Sequence, residues 1–337
     1  MKLSFAASML WLAFWAESTA GQQQLQDNEK TGLRGGNVEQ QELVLNKNVE
    51  EDRPTERRDS AGDVVYKILM MGNSYTGQSN VAGQLQHLLR GTPGISASSS
   101  VKGLTKGGWK IYNHRDETMK SGSTWHTETR PTKDYDYVIL QDQSQIPTFI
   151  GSESTTNSKN AAVQLDDIFE DMGAEIIFYM TWGRRYGDNQ HPYWDVNTYK
   201  TMQAKLKLGY EEYIKAVKDT NNRQAYMGPV GLAFEYLHDT DYAFFTSLYK
   251  GDNSHVQPTG AYIAACVFYS TITGELCSGK TTTYGFDSTT LSKLQAAADY
   301  ASTTNRVSSY PLPTPKQSSV VTTTTPSVSA LKRPSVG

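Results

Sequence analysis

Lys67-Ile68-Leu69-Met70-Met71-Gly72-Asn73-Ser74-Tyr75-Thr76 is the stretch on which the reading of this chain turns. A continuous apolar run closed by a glycine predicts a strand buried on both faces that ends in a tight turn. Ser74 follows that strand by two residues and precedes a helix expected from Gly77 to Leu89, which places its hydroxyl at the top of a sheet. Backbone N–H groups at such a helix start can receive an oxyanion, and the helix dipole favours negative charge there. Serine is also a common helix N-cap, so this motif alone leaves both readings open.

Outward from this segment, strands and helices alternate. Apolar runs at Tyr137 to Leu140, Glu175 to Met180 and Ala225 to Val230 read as buried parallel strands, with Ser96 to Val101 a weaker candidate because of its serines. Amphipathic stretches follow at Asn160 to Met172, Val196 to Asp219 and Pro258 to Ile272. Strand and helix in alternation imply a doubly wound sheet, whose sites form beyond the carboxyl ends of the strands.

A second motif, Gly251-Asp252-Asn253-Ser254-His255, stands after the last strand and just before Pro258 and its helix. A serine hydroxyl is a weak nucleophile and needs a base within hydrogen-bond reach, itself oriented by a carboxylate. Asp252 and His255 supply both on one loop, and their spacing limits how far they can drift apart. Of the six histidines, only His255 has a carboxylate at this spacing after the last strand. A turn that merely caps the next helix is the competing reading.

The ends of the chain read differently from the middle. Lys2, the apolar run Phe5 to Trp15 and Ser18-Thr19-Ala20 before Gly21 form a secretory signal pattern over residues 1–20. Residues 21–62 are polar and read as a disordered leader or pro-segment, with Arg57-Arg58 a candidate dibasic processing site. The folded domain is expected over 63–302, followed by a Ser/Thr/Pro-rich tail over 303–337. No later run is long enough for a membrane span after signal cleavage. The formal charge of −3, without a basic patch interleaved with aromatics, argues against nucleic acid. No obligate protein partner is evident. Cys266 and Cys277 are expected to pair in a secreted protein, with a buried cysteine and a free thiol as the alternative. No metal site is expected from two cysteines without histidine at ligand spacing.

Taken in order, Gly72-Asn73-Ser74-Tyr75, Gly107-Gly108, Tyr137-Val138-Ile139-Leu140-Gln141-Asp142-Gln143-Ser144 and Asp252-Asn253-Ser254-His255 resemble the blocks of the SGNH hydrolases, or GDSL-type esterases. The resemblance runs from about Tyr66 to Gly274. It is closest to a poorly characterised subgroup with a Gly-Asn-Ser start, to which Met180-Thr181-Trp182-Gly183 is also similar. It implies a flavodoxin-like three-layer α/β/α sandwich with about five parallel strands, and a serine esterase that uses no cofactor. Ser74 would be nucleophile, His255 general base and acid, and Asp252 its orienter. The oxyanion hole would comprise the N–H of Ser74, the N–H of Gly108, with Gly107 as alternate, and the side chain of Gln143. The family has an asparagine at this last position; Gln141 and Gln145 compete for the role. Asn73 and Trp182 are expected at the substrate pocket, with covering the core the plainer role for any single tryptophan, and one of Arg184 and Arg185 is a candidate for binding an acidic sugar, with surface solvation as the plainer role. The substrate implied is a small-molecule or glycan ester, with short-chain acetyl groups on carbohydrate favoured. A lipid or thioester acyl hydrolase and an inactive glycan-binding module are the alternatives.

Overall fold

The computed structural model describes residues 56–303 and 311–313. The signal pattern, most of the leader and nearly all of the tail lie outside the described residues. The sheet contains β1 (Lys67–Gly72), β2 (Ser100–Thr105), β3 (Tyr137–Leu140), β4 (Glu175–Tyr179) and β5 (Tyr226–Gly228), all parallel, in the spatial order β2-β1-β3-β4-β5. After β1 come α1 (Ser74–Gly77) and α2 (Val81–Arg90); after β2, α3 (Ile111–Met119) and α4 (Thr124–Glu128). Next in the chain are α5 (Glu153–Asp171) before β4 and α6 (Tyr199–Asn221) before β5. Beyond β5 lie α7 (Val230–Thr240), α8 (Tyr242–Ser247), α9 (Pro258–Thr273) and α10 (Ser288–Thr303). Helices α2, α9 and α10 pack together in one layer, and α3, α5 and α6 in the other, so the sheet is the middle of a three-layer sandwich.

The chain leaves β1 for β2 at the edge and returns to β3 on the other side of β1. That reversal opens a crevice at the carboxyl ends of β1 and β3, the place where ligands bind in open α/β sheets. Ile68 to Met71 and Tyr137 to Leu140 are almost wholly buried, as strands covered on both faces should be. Residues Gly260 to Ile272 of α9 are all buried too, enclosed by the sheet and by α2 and α10. The Cys266–Cys277 disulfide, with sulfurs 2.07 Å apart, ties this helix to the loop that follows it.

Three expectations need correction. The second strand begins at Ser100, not Ser96, because β2 is an edge strand in which only Leu104 is buried and no apolar run marks it. The helix expected from Gly77 is two helices, broken at Asn80 with φ 52°, and the first starts at Ser74 itself. Finally, the leader does not extend to Gly62. Arg58 pairs antiparallel with Val64, Val65 N donates to Arg57 O at 2.8 Å, and Arg57 Nη1 lies 2.9 Å from Asp136 Oδ2. The candidate dibasic pair is thus fastened to the folded domain.

Candidate active site

Asn73, rather than Ser74, caps α1: its Oδ1 accepts from Tyr75 N at 3.0 Å. Its Nδ2 donates to Trp109 O at 2.9 Å and to Asp142 O at 3.3 Å, which joins the turn after β1 to the loops after β2 and β3. With the capping done by its neighbour, the Ser74 hydroxyl is free to face His255. A Cβ at Gly72 would collide with Thr76 Oγ1 and Gln141 Oε1, so only glycine lets the strand turn this closely under Ser74.

His255 and Asp252 lie on the loop 248–257. Lys250 N donates to His255 O and Gln257 N to Leu248 O, each at 2.8 Å, which closes the loop as a hairpin before α9. At its tip Asn253 has φ 58°, a conformation asparagine tolerates better than most residues. The turn folds the Asp252 carboxylate back on its own loop: Oδ1 accepts from Ser254 N at 3.0 Å and His255 N at 2.9 Å. Its other oxygen lies 2.6 Å from His255 Nδ1, and His255 Nε2 lies 2.8 Å from Ser74 Oγ. Partial burial works to raise the Asp252 pKa, but the Ser254 N–H, the His255 ring and the His255 N–H outweigh it and hold the carboxyl below its ordinary value. An ionised carboxylate fixes the imidazole with Nε2 towards the serine, the arrangement that lets a hydroxyl become a nucleophile.

The three glutamines after β3 take different places. Gln141 is fully buried and accepts through Oε1 from Asn73 N at 3.0 Å and Thr76 Oγ1 at 2.8 Å. Gln145 is buried and donates to Asp188 Oδ2 at 3.0 Å. Only Gln143 borders the cavity in front of Ser74 and His255. Its Nε2 is turned towards Gln145 Oε1 and Ser144 Oγ. Gly108, with φ 72°, sits in the exposed turn after β2, which Lys106 N fastens to Gly72 O at 3.2 Å.

Trp182 is not in the cavity. It is fully buried, lies flat on Tyr75 with centroids 4.6 Å apart, and rests on Phe234 at 4.9 Å. Asn73 borders the cavity but is 2% exposed and fully engaged in the bonds above, so it builds the turn rather than meeting a ligand. His114 is buried on α3, where its Nδ1 accepts from Trp125 Nε1 at 2.9 Å and burial depresses its pKa to about 3.

Two further residues shape the site and were not singled out from sequence. Asp142 is fully buried; Oδ1 accepts from Gln143 N at 2.7 Å and Ile111 N at 3.1 Å, and Oδ2 from Tyr213 Oη at 2.8 Å. Burial raises its pKa despite these bonds. The Tyr75 hydroxyl is 2.7 Å from Ser254 Oγ, and its ring meets His255 edge-on at 5.3 Å. The sequence signal for Asp142 was a carboxylate at the end of an apolar strand; for Tyr75 there was none beyond its adjacency to Ser74.

The structure overlays a DUF4886 family protein from Bacteroides uniformis with a TM-score of 0.51, covering 70% of this chain and 94% of that one at 19% identity. A putative SGNH hydrolase from Slackia heliotrinireducens matches at 22% identity over 61% of this chain and 98% of its own, with a TM-score of 0.47. The chain has a three-layer α/β/α fold built on a five-stranded parallel sheet, which it shares with the DUF4886 family protein. An acetylxylan esterase from Geobacillus stearothermophilus, in the form of a catalytic mutant, matches at 13% identity over 63% and 94%, with a TM-score of 0.44. No protein-family model and no curated protein matches the sequence. The overlay at a TM-score of 0.51 carries the fold alone, and the chemistry rests on the side chains of this chain.

Proposed function

We propose that this chain is a secreted serine esterase that removes short acyl groups, acetyl foremost, from carbohydrate hydroxyls. The observation that carries the reading is the continuous Ser74 Oγ, His255, Asp252 chain, with links of 2.8 and 2.6 Å, opening on a small polar cavity. Ser74 Oγ attacks the ester carbonyl carbon while His255 Nε2 takes its proton. The resulting oxyanion meets the N–H groups of Ser74 and Gly108 and the Gln143 amide, which swings away from Gln145 as substrate enters. His255 then returns the proton to the leaving alcohol, and an acyl-enzyme remains on Ser74. A water deprotonated by His255 attacks that ester, and His255 returns the proton to Ser74 Oγ as the acid leaves. Asp252 stays ionised throughout and stabilises the imidazolium.

The size and lining of the cavity support a short acyl group. Its volume is about 100 Å³, and it is bordered by serine, asparagine, glutamine, arginine, tyrosine and histidine with no aliphatic side chain. A long acyl chain would leave apolar surface in water or against polar groups, at a cost of about 0.8 kcal/mol per methylene not buried. That lining counts against the lipid alternative.

A rate series over p-nitrophenyl esters from acetyl to palmitoyl, run beside O-acetylated glycans, tests the proposal. The reading expects kcat/KM to be highest for acetyl and to fall with chain length, with acetate released from the glycans. Preference for long chains would overturn it.

A further inference from the structure

One permanently charged side chain enters the same cavity as Ser74 and His255, and it is Arg184. The segment that carries it is fastened to the triad loop at three points. Arg185 N donates to Asn253 O and Trp182 Nε1 to Ser254 O, each at 2.9 Å, and Tyr249 Oη donates to Gly183 O at 2.7 Å. The guanidinium is therefore held in register with the nucleophile.

Behind Arg184 stands Asp188, whose side chain is wholly buried. Its Oδ1 accepts from Arg184 Nη1 and Gln190 N, each at 3.1 Å; its Oδ2 takes Gln145 Nε2 at 3.0 Å and His191 Nδ1 at 2.7 Å. Asp188 thus holds one nitrogen of the guanidinium from the protein side and has no lone pair left for more. Arg184 Nε has no partner, and the side chain keeps 21% of its exposure where it borders the cavity. A guanidinium offers five donors in a planar fork suited to carboxylates; here Asp188 engages one, and the Tyr75 hydroxyl also lies within hydrogen-bonding reach of the group.

We infer that Arg184 selects esters that bear a carboxylate a few bonds from the scissile carbonyl, such as an O-acylated uronic acid. The inference rests on the esterase reading and names the substrate class of that site. The carboxylate can lie on the alcohol half or on the acyl half, since both pass through one small cavity.

The test compares O-acetylated galacturonic acid with its methyl ester, and p-nitrophenyl hydrogen succinate with p-nitrophenyl methyl succinate. Wild-type protein is expected to prefer the acid member of one pair, and the pair that shows it tells which half carries the charge. Arg184→Gln should lower the acid-to-neutral ratio of kcat/KM about tenfold or more, mainly through KM, with Arg184→Lys in between. Raising salt from about 0.05 to 0.5 M should weaken the wild-type preference, a readout that needs no variant. Absence of any acid preference in wild type, or an equal loss on both members of a pair in Arg184→Gln, overturns the inference while leaving the esterase intact. Failure of wild type to turn over every ester overturns the esterase reading itself.

Discussion

The indole Nε1 of Trp182 donates to the backbone carbonyl of Ser254 at 2.9 Å, so a fully buried side chain at the end of β4 holds the loop that carries His255. The same ring supports Tyr75, which meets His255 edge-on. Trp182→Phe keeps an aromatic ring, though a smaller one, and loses the donor. It is expected to cost about 1–2 kcal/mol of stability and to lower kcat severalfold with KM little changed. Trp182→Ala should cost about 3–5 kcal/mol. Denaturant titration and ester kinetics on the two variants check both parts; wild-type kcat in Trp182→Phe would show that the loop holds itself.

Gln143 and Gln141 should separate activity from stability. Gln143→Ala is expected to lower kcat about 100-fold, the loss typical of one oxyanion donor, with an unchanged unfolding midpoint. Gln141→Ala leaves Asn73 N and Thr76 Oγ1 unpartnered in a buried place and should cost about 1–3 kcal/mol. The reverse pattern would assign the amide of the oxyanion hole to Gln141.

How much of this was legible in the sequence depended on burial. Ile68 to Met71, Tyr137 to Leu140 and Glu175 to Tyr179 are covered on both faces, so unbroken apolar runs announced them. At the sheet's edge β2 buries only Leu104, and its position slipped by four residues. Ser74, Asp252 and His255 were legible because acid and base share a five-residue turn and the serine follows the clearest strand. Trp182 was misplaced in the pocket, because indole in a post-strand segment looks the same in sequence whether it faces solvent or packs between Tyr75 and Phe234. The choice among Gln141, Gln143 and Gln145 depends on which side chain turns inward, and a loop has no period to reveal it.

Glu128 makes stability acid-sensitive. Burial would raise its carboxyl, but Lys102 Nζ at 2.7 Å, Tyr135 Oη at 2.8 Å and Lys133 Nζ at 3.1 Å outweigh it and hold the pKa at about 2, against an ordinary 4.5. A depressed folded-state value contributes stability that is present above about pH 4.5 and is lost as pH falls towards 2. Glu128→Gln should be less stable than wild type at neutral pH and converge with it in acid. The difference should change by up to about 1.4 kcal/mol per pH unit in that window. Parallel curves from pH 7 to 2 would remove Glu128 from the account.

The Cys266–Cys277 link closes a short loop onto a helix buried along most of its length. Replacing both cysteines by serine should cost about 2–3 kcal/mol from loop entropy, with a further loss from placing a hydroxyl at the buried position 266. Unfolding in guanidinium with and without reductant measures the first part on the native sequence, and equal midpoints would contradict it.

The proposed chemistry requires Ser74 to be a nucleophile activated by His255, which Asp252 orients. A fluorophosphonate probe tests it most directly, because the probe forms a covalent bond only with an activated serine. Folded wild-type protein should be labelled at Ser74, as located by peptide mass spectrometry. Ser74→Ala should give no label, and Asp252→Asn and His255→Ala should label slower by orders of magnitude. Intact, folded protein that stays unlabelled, or label found on another residue, would contradict the account.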